Sequence, residues 1–395
     1  MTHKPTIKDV ARLAGVSLGT ASRVLNGSSA TSEASRSAVH NAAHELGYLS
    51  NAHARSLRSS HSGVIGLVVP DIRNPYFAEL ASVVENACLA YGWATLLCNA
   101  DESPDQFNRY VNTLRRQRVD GAIVTPTGSG GQAVKDLVDD GVQVVCVDRE
   151  ITGSPLPAVT SDPWNGMRQA VHHLVDHGHR RIGFITGPQQ TSTGLERYQA
   201  YRQLLAEHGL EVDEDLVVEG DFQEESGRMG ARRLLDGGAT AIFASDSLMS
   251  MGALRTCIDQ GVRIGDEIDL VGFDDLPVFS LTNPALTVVA QDIDAMGKVA
   301  VDLLNRAMSG EPTSSARLDT HLIVRASTRM VKENQWQQYF DSTTSLRLSD
   351  PSRSSKTYRW TSFLAGCASC SVKTEPESPC LLYTSDAADD LLCVD

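Results

Sequence analysis

From Gly63 onward the chain alternates two textures. Short unbroken apolar runs recur at Val64–Val69, Ala94–Cys98, Ala122–Val124, Val142–Val147, Ile182–Ile185, Ala241–Ala244 and Leu270–Phe273. Between them lie stretches with helical spacing, among them Phe77–Tyr91, Asn165–His177, Glu196–His208, Glu224–Asp236 and Asp246–Gln260. A run of Val, Ile and Leu with no polar face is buried on both sides, which points to parallel sheets. Strand–helix alternation then specifies doubly wound α/β layers. Such sheets bind ligands beyond the carboxyl ends of their strands.

Polar residues gather at those ends. Asp71 and Asn74-Pro-Tyr-Phe77 follow the first run, Asp148-Arg149 the fourth, Asp246 the run at Ala241–Ala244, and Asp274-Asp275 the last. Each aspartate alone is as well explained as a helix N-cap. Several converging at one sheet edge, with arginine and aromatic faces, suit a polyhydroxylated ligand that offers hydroxyls in plane and C–H groups on its faces.

The first 50 residues have a different pattern. Ile7, Val10, Ala11 and Ala14 form one amphipathic stripe, with Thr6 placed to cap it and Gly15 to end it. Ser17 reads as the N-cap of a second helix, with Ala21, Val24 and Leu25 inward and Leu18, Gly19, Thr20, Ser22 and Arg23 outward. A third stripe runs through Val39, Ala42, Ala43 and Leu46 and stops at Gly47. Two short helices joined by a Gly-containing turn make a helix-turn-helix, whose second helix fits the DNA major groove. Arg23 suits a bidentate contact to guanine, Leu18 a thymine methyl, and the capped helix ends and hydroxyls suit phosphates. A purely structural three-helix bundle has the same spacing.

Charge separates head from body. Residues 1–62 carry seven basic and three acidic side chains, net +4, whereas the rest carries 28 basic and 46 acidic, net −18, which together make the overall −14. A basic head on an acidic body suits phosphates at one end only.

The string Thr6-Ile-Lys-Asp-Val-Ala-Arg-Leu-Ala-Gly-Val-Ser17, followed by Thr20-Ala-Ser-Arg-Val-Leu-Asn-Gly27, Glu45-Leu-Gly-Tyr48 and Asn51-Ala-His-Ala-Arg-Ser-Leu-Arg58, closely resembles the head of the lactose/galactose repressor (LacI/GalR-type) family. The resemblance implies a DNA-binding set of Thr6, Ser17, Leu18, Gly19, Thr20, Ser22, Arg23 and Asn26 in the head, and Asn51, Ala54, Arg55 and Leu57 in a hinge helix. Leu57 would be the wedge in the minor groove of a kinked operator. A helix of about eight residues is marginal alone in water, so it is expected to form on DNA or against a second copy. Gly19 weakens the reading helix, and Ser50 stands where the family usually has proline.

The body resembles that family as well, through Ile65-Gly-Leu-Val-Val-Pro-Asp71, Asn74-Pro-Tyr-Phe-Ala-Glu79, Gly178-His-Arg-Arg-Ile-Gly183, Gly220-Asp-Phe222, Val271-Gly-Phe-Asp-Asp275, Pro284-Ala-Leu-Thr287 and Arg325-Ala-Ser327. What it implies is an N-terminal all-α helix-turn-helix domain plus an α/β two-lobed periplasmic-binding-protein-like core. The head would span 1–50 and the hinge 51–62. In the core, 63–331, lobe one would comprise about 63–161 plus 291–320 and lobe two about 162–290 plus 321–331. Matching positions imply effector contacts from Tyr76, Phe77, Asp148, Arg197, Phe222, Asp274 and Gln291, with Thr193 on a loosely matched loop and Ser245 where many members carry asparagine. Trp164 has no counterpart and reads either as cleft wall or as packing.

Enzyme motifs are missing: there is no Gly-x-Gly-x-x-Gly after a strand, no Walker loop and no His-Glu-x-x-His, and Gly-rich Thr127–Gly131 reads as a loop. His173 and His177 share a helix face near His172 and His179, but no carboxylate–cysteine set completes a metal site. Catalysis, a cofactor and a metal are therefore not expected. No apolar run approaches the roughly 18–20 residues of a membrane span. The first ten residues lack a signal-peptide core, and eight cysteines are too few for a disulfide scaffold, so a cytoplasmic protein with reduced thiols is expected. Residues 332–395 are Ser/Thr-rich and without period, and Cys367-x-x-Cys370 has no second tight pair for zinc. They read as a disordered tail, with Cys380–Asp390 more like translated read-through than selected protein. The expected protein is a homodimeric repressor that binds double-stranded operator DNA under control of a sugar-like small molecule. Its competitor is a sugar-binding module without DNA function.

Overall fold

A computed structural model describes residues 5–25, 31–48, 61–128 and 131–328. In the head, α1 (Ile7–Leu13), α2 (Leu18–Leu25) and α3 (Glu33–Glu45) bring the three stripes together. Val10, Ala11, Ala21, Val24, Val39 and Ala42 form the buried centre. Thr6 begins α1 as the sequence requires: its N–H and its hydroxyl both donate to the Asp9 carboxylate, at 3.0 and 2.7 Å. Both helix exits are glycines at positive φ, Gly15 (65°) and Gly47 (61°). The residue after each donates back into the last turn, Val16 to the Ala11 carbonyl at 3.0 Å and Tyr48 to that of Ala43 at 2.8 Å. This Schellman closure needs a left-handed residue at the glycine position.

The core holds two six-stranded sheets. The first contains β1 (Val64–Val69), β2 (Ala94–Asn99), β3 (Gly121–Val124), β4 (Gln143–Val147), β5 (Ala158–Asp162) and β11 (Ala316–Asp319), in the order β11-β5-β4-β3-β1-β2, all parallel. The second contains β6 (Ile182–Thr186), β7 (Val217–Glu219), β8 (Ala241–Ala244), β9 (Asp269–Phe273), β10 (Thr287–Ala290) and β12 (His321–Ile323), in the order β12-β10-β9-β8-β6-β7. Here only β12 runs antiparallel, against β10. The connecting helices are α4 (Pro75–Ala90), α5 (Pro104–Gln117), α6 (Gly131–Asp139), α7 (Trp164–Asp176), α8 (Ser192–Glu207), α9 (Glu224–Asp236), α10 (Ser247–Asp259), α11 (Pro277–Leu281) and α12 (Ile293–Met308).

The chain passes between the lobes three times: from β5 into α7, which packs on β10 and β12; from β10 into α12, which packs on β3 and β4; and from β11 into β12. The Thr320 hydroxyl ties two crossings together, donating to the Asp162 carbonyl at 2.8 Å and accepting from the Gly166 N–H at 3.1 Å. Gly166 is required there, because a Cβ would lie 2.5 Å from the Val289 side chain.

Two features depart from the sequence reading. Helix α8 starts at Ser192, a turn before Glu196, because the Thr191 hydroxyl caps it by accepting from the Gly194 N–H at 3.1 Å. The first turn, Ser-Thr-Gly, carries no apolar period to announce it. Strands β5, β7, β10, β11 and β12 lie outside the apolar runs of the sequence; β7, β11 and β12 are three or four residues long and partly exposed.

Candidate functional site

Since nearly all strands in each sheet are parallel, their carboxyl ends deliver side chains to one cleft. Tyr76, Phe77, Asp148, Thr193, Arg197, Phe222, Asp274 and Gln291 all line it, joined by Arg149 and Asp246. Ser245 does not line it. Its carbonyl accepts from Arg197 Nη1 at 2.6 Å behind the wall, and its buried hydroxyl has no partner among the described residues. Trp164 packs at the edge of the lobe-two core around Met167 and Phe184.

The walls are built locally. Asn74 caps α4 by accepting from the Tyr76 N–H, which sets the Tyr76–Phe77 pair on the first turn with rings edge to face at 4.9 Å. The Tyr76 hydroxyl donates to Asp148 at 2.8 Å. Gln291 donates to Asp274 at 2.5 Å, just past the end of β10. Arg197 lies under the floor with its guanidinium 3.7 Å from the Phe273 ring centre.

Arg149 occupies the middle. Glu102 holds it by two hydrogen bonds, 2.8 and 2.7 Å, and its guanidinium sits 4.6 Å from the Phe222 ring centre and 5.9 Å from that of Phe77. Burial opposes its charge, but the Glu102 carboxylate holds its pKa above the ordinary arginine value. Only about 10 Å³ remains free, room for about one water. Further contacts join the lobes: the Ser247 hydroxyl donates to Asn74 at 3.1 Å, the Glu150 N–H donates to the Ser192 hydroxyl at 3.1 Å, and Arg317 pairs with Glu196. The cleft is thus closed on its own side chains.

Backbone strain marks the same place. Among the described residues, six non-glycine positions have positive φ, and five of them, Asp101, Glu102, Asp148, Phe222 and Asp274, belong to the cleft or its mouth. Such conformations persist where surrounding structure over-determines them, as at ligand clamps.

Three carboxylates share the pocket. Burial, and then Asp274, push Asp246 up to about 7, and burial also raises Asp274. Between about pH 4 and pH 7 the folded chain holds a proton on Asp246 that the unfolded chain has released, so this group makes stability fall as pH rises across that window. Asp246→Asn keeps the cap on α10, in which the side chain accepts from the Met249 N–H at 3.0 Å. The substitution is expected to flatten that part of the slope. Urea unfolding between pH 5 and pH 8 measures it, and an unchanged slope would place the titration elsewhere.

The histidines of the sequence cluster serve the lobe-two frame. His173 Nε2 lies 2.8 Å from the Thr328 hydroxyl and His179 Nε2 2.9 Å from Asp269. Burial, then His177 beside it, push His173 down to about 4. Among the described residues, no three His, Cys, Asp or Glu side chains gather as a metal site, and no helix is long and apolar enough to cross a membrane.

In the head, Ser17 caps α2 by accepting from the Thr20 N–H at 3.1 Å. Ser17, Leu18, Gly19 and Arg23 are exposed and Thr20 and Ser22 half-buried, while Ala21 and Val24 face inward. Asn26, Asn51, Ala54, Arg55 and Leu57 lie outside the described residues, as does the tail from 332.

Residues 6–51 match the model of bacterial regulatory proteins of the lacI family, and residues 171–328 match that of the periplasmic binding protein-like domain. The ribose operon repressor of Halalkalibacterium halodurans is 35% identical over 328 residues, 82% of this chain and 97% of that protein. The chain belongs to the LacI family. Among solved structures, a CelR–cellobiose complex is 36% identical, covers 82% of this chain and 99% of its own, and superposes with a TM-score of 0.63. The lac repressor dimer bound to operator and an anti-inducer is 26% identical, covers 83% and 100%, and reaches 0.73. As a LacI-family protein the chain is a transcriptional regulator, with a DNA-binding head and a periplasmic-binding-protein-like effector core. Arg149 and Asp246 line the cleft without being among the matched effector positions, though both stand in the polar sets that follow β4 and β8.

Proposed function

We propose that this LacI-family regulator is a cytoplasmic homodimeric repressor whose grip on a pseudo-palindromic operator is set by a sugar-like molecule between its lobes. It acts by binding, with no catalytic step, cofactor or metal. One observation carries the reading. A single chain combines a reading helix, exposing Ser17, Leu18, Gly19 and Arg23, with a cleft where Asp148, Asp246 and Asp274 converge beside aromatic walls. Carboxylates accept sugar hydroxyls and aromatic faces pack against ring C–H groups. The relatives fit this reading: one is named for the ribose operon and another is solved with cellobiose.

Leu18, Thr20, Ser22 and Arg23 would read bases, with Asn26 beside them, and Thr6, Ser17 and the helix ends would hold phosphates. Asn51, Ala54, Arg55 and the Leu57 wedge would order in the minor groove, within a hinge over 51–62. The dimer is supported by apolar side chains facing outward on both lobes, Leu89, Tyr91 and Leu97 on one and Ile258, Val278 and Leu281 on the other, with Leu281 82% exposed. A lac repressor relative is solved as a dimer on operator.

Affinity for mixed duplex DNA, measured at several salt concentrations, tests the reading. The log–log slope is expected to be steeply negative, about −0.9 per phosphate contacted. A flat dependence would leave only a small-molecule binding protein.

A further inference from the structure

A second cavity lies outside the inner pocket. About 520 Å³ opens between the lobes, bounded on one side by Arg73, Asp101, Glu102 and Thr127 and on the other by Gln190 and Asp221. That volume is within the range of about 300–1,000 Å³ usual for ligand sites. It adjoins the inner pocket through neighbouring residues. Glu102 forms its wall and also holds Arg149, while Asp221 and Gln223 flank Phe222. Pro104 and Pro188 give it an apolar face from each lobe.

We propose that the effector is an uncharged oligosaccharide of two or more rings, with one ring drawn in against Phe222 and the rest lying in this outer chamber. The inference rests on the cleft being the effector site. Size is the first argument, since a ligand confined to the inner pocket leaves the larger space unused. Charge is the second. Arg73 is the chamber's one arginine, and it is already engaged by Asp71, at 2.9 and 2.8 Å, and by Asp101 at 2.5 Å. Glu102 is held by Arg149, and Asp221 accepts from the Gln223 N–H at 3.1 Å. A phosphate or carboxylate entering would meet three carboxylates and no uncommitted cation. Hydrogen-bonding capacity is the third. Gln190 is exposed at the rim, and Thr127, 1% exposed, has a buried hydroxyl without a partner among the described residues.

Calorimetry on the full-length protein tests this with neutral hexose and pentose monosaccharides, their di- and trisaccharides (cellobiose, cellotriose, maltose and maltotriose among them), and glucose 6-phosphate as the charged arm. At least one di- or trisaccharide is expected to bind about tenfold or more tighter than its own monosaccharide, through two or three added hydrogen bonds. Gln190→Ala, at an exposed position, is expected to reduce that gain and leave monosaccharide affinity unchanged. A monosaccharide that binds as tightly as its oligomers would overturn the proposal and leave the cleft reading standing. Tighter binding of glucose 6-phosphate than of glucose would overturn the charge argument. No binding by any saccharide would overturn both the proposal and the sugar reading beneath it.

Discussion

Asp274→Asn is expected to lower effector affinity about 10- to 150-fold while operator affinity without effector stays unchanged. The range follows from the roughly 1.5–3 kcal/mol of a hydrogen bond to a charged group. Asp274 follows β9 at φ 65°, is buried, and accepts from Gln291 at 2.5 Å. Asparagine tolerates the same left-handed backbone and has nearly the same volume, so the fold is kept. What is lost is the charge and one acceptor aimed at ligand hydroxyls. Calorimetry with the tightest-binding saccharide reads the loss, and undiminished affinity would remove Asp274 from the site.

Arg23→Ala is expected to weaken operator binding by about 1–3 kcal/mol and to relax preference at one base pair, with non-specific binding retained. Arg23 is exposed on α2. Its Nε–H donates only to the Gly19 carbonyl one turn back, at 3.3 Å, and it enters no ion pair among the described residues. Truncation therefore leaves the core of Val10, Ala21 and Val39 untouched. Anisotropy titrations on the operator and its single-base variants would show the change. Unaltered selectivity would assign base reading to other side chains.

How much was legible in the sequence depended on how local the cause was. The head could be read almost residue by residue, because its core is a repeat of three- and four-residue spacings and its exits are glycines that the Schellman closure demands. Most strands with an unbroken apolar run announced themselves, whereas β11 and β12, at the sheet edges, are short, polar and partly exposed. Asp148 and Asp274 were visible as carboxylates following a strand. Asp246 was visible both as a helix cap and as one of the polar residues at the sheet edge, and it is both. Arg149 was visible after its strand, but its pairing was not. Arginine is seldom buried, and its position depends on Glu102, 47 residues away, and on Phe222 from the other lobe. Ser245 is not among the lining residues, and it meets the cleft only through its carbonyl, which accepts from Arg197.

The closed cleft also bears on control. A ligand changes operator affinity only through different affinities for two arrangements of the lobes. Here the Arg149–Phe222 stack, the Ser247–Asn74 bond and the Glu196–Arg317 pair already favour one of them. On the proposed function, a ring entering beside Phe222 would compete with the Arg149 stack, one of these contacts between the lobes.

The most direct test is operator affinity of the full-length protein at fixed salt, with and without the saccharide that binds most tightly. Occupancy of the cleft should shift that affinity between about fivefold and 150-fold, the span of a coupling of about 1–3 kcal/mol. Equal affinity with the cleft empty and saturated would contradict the link between sensor and reading head.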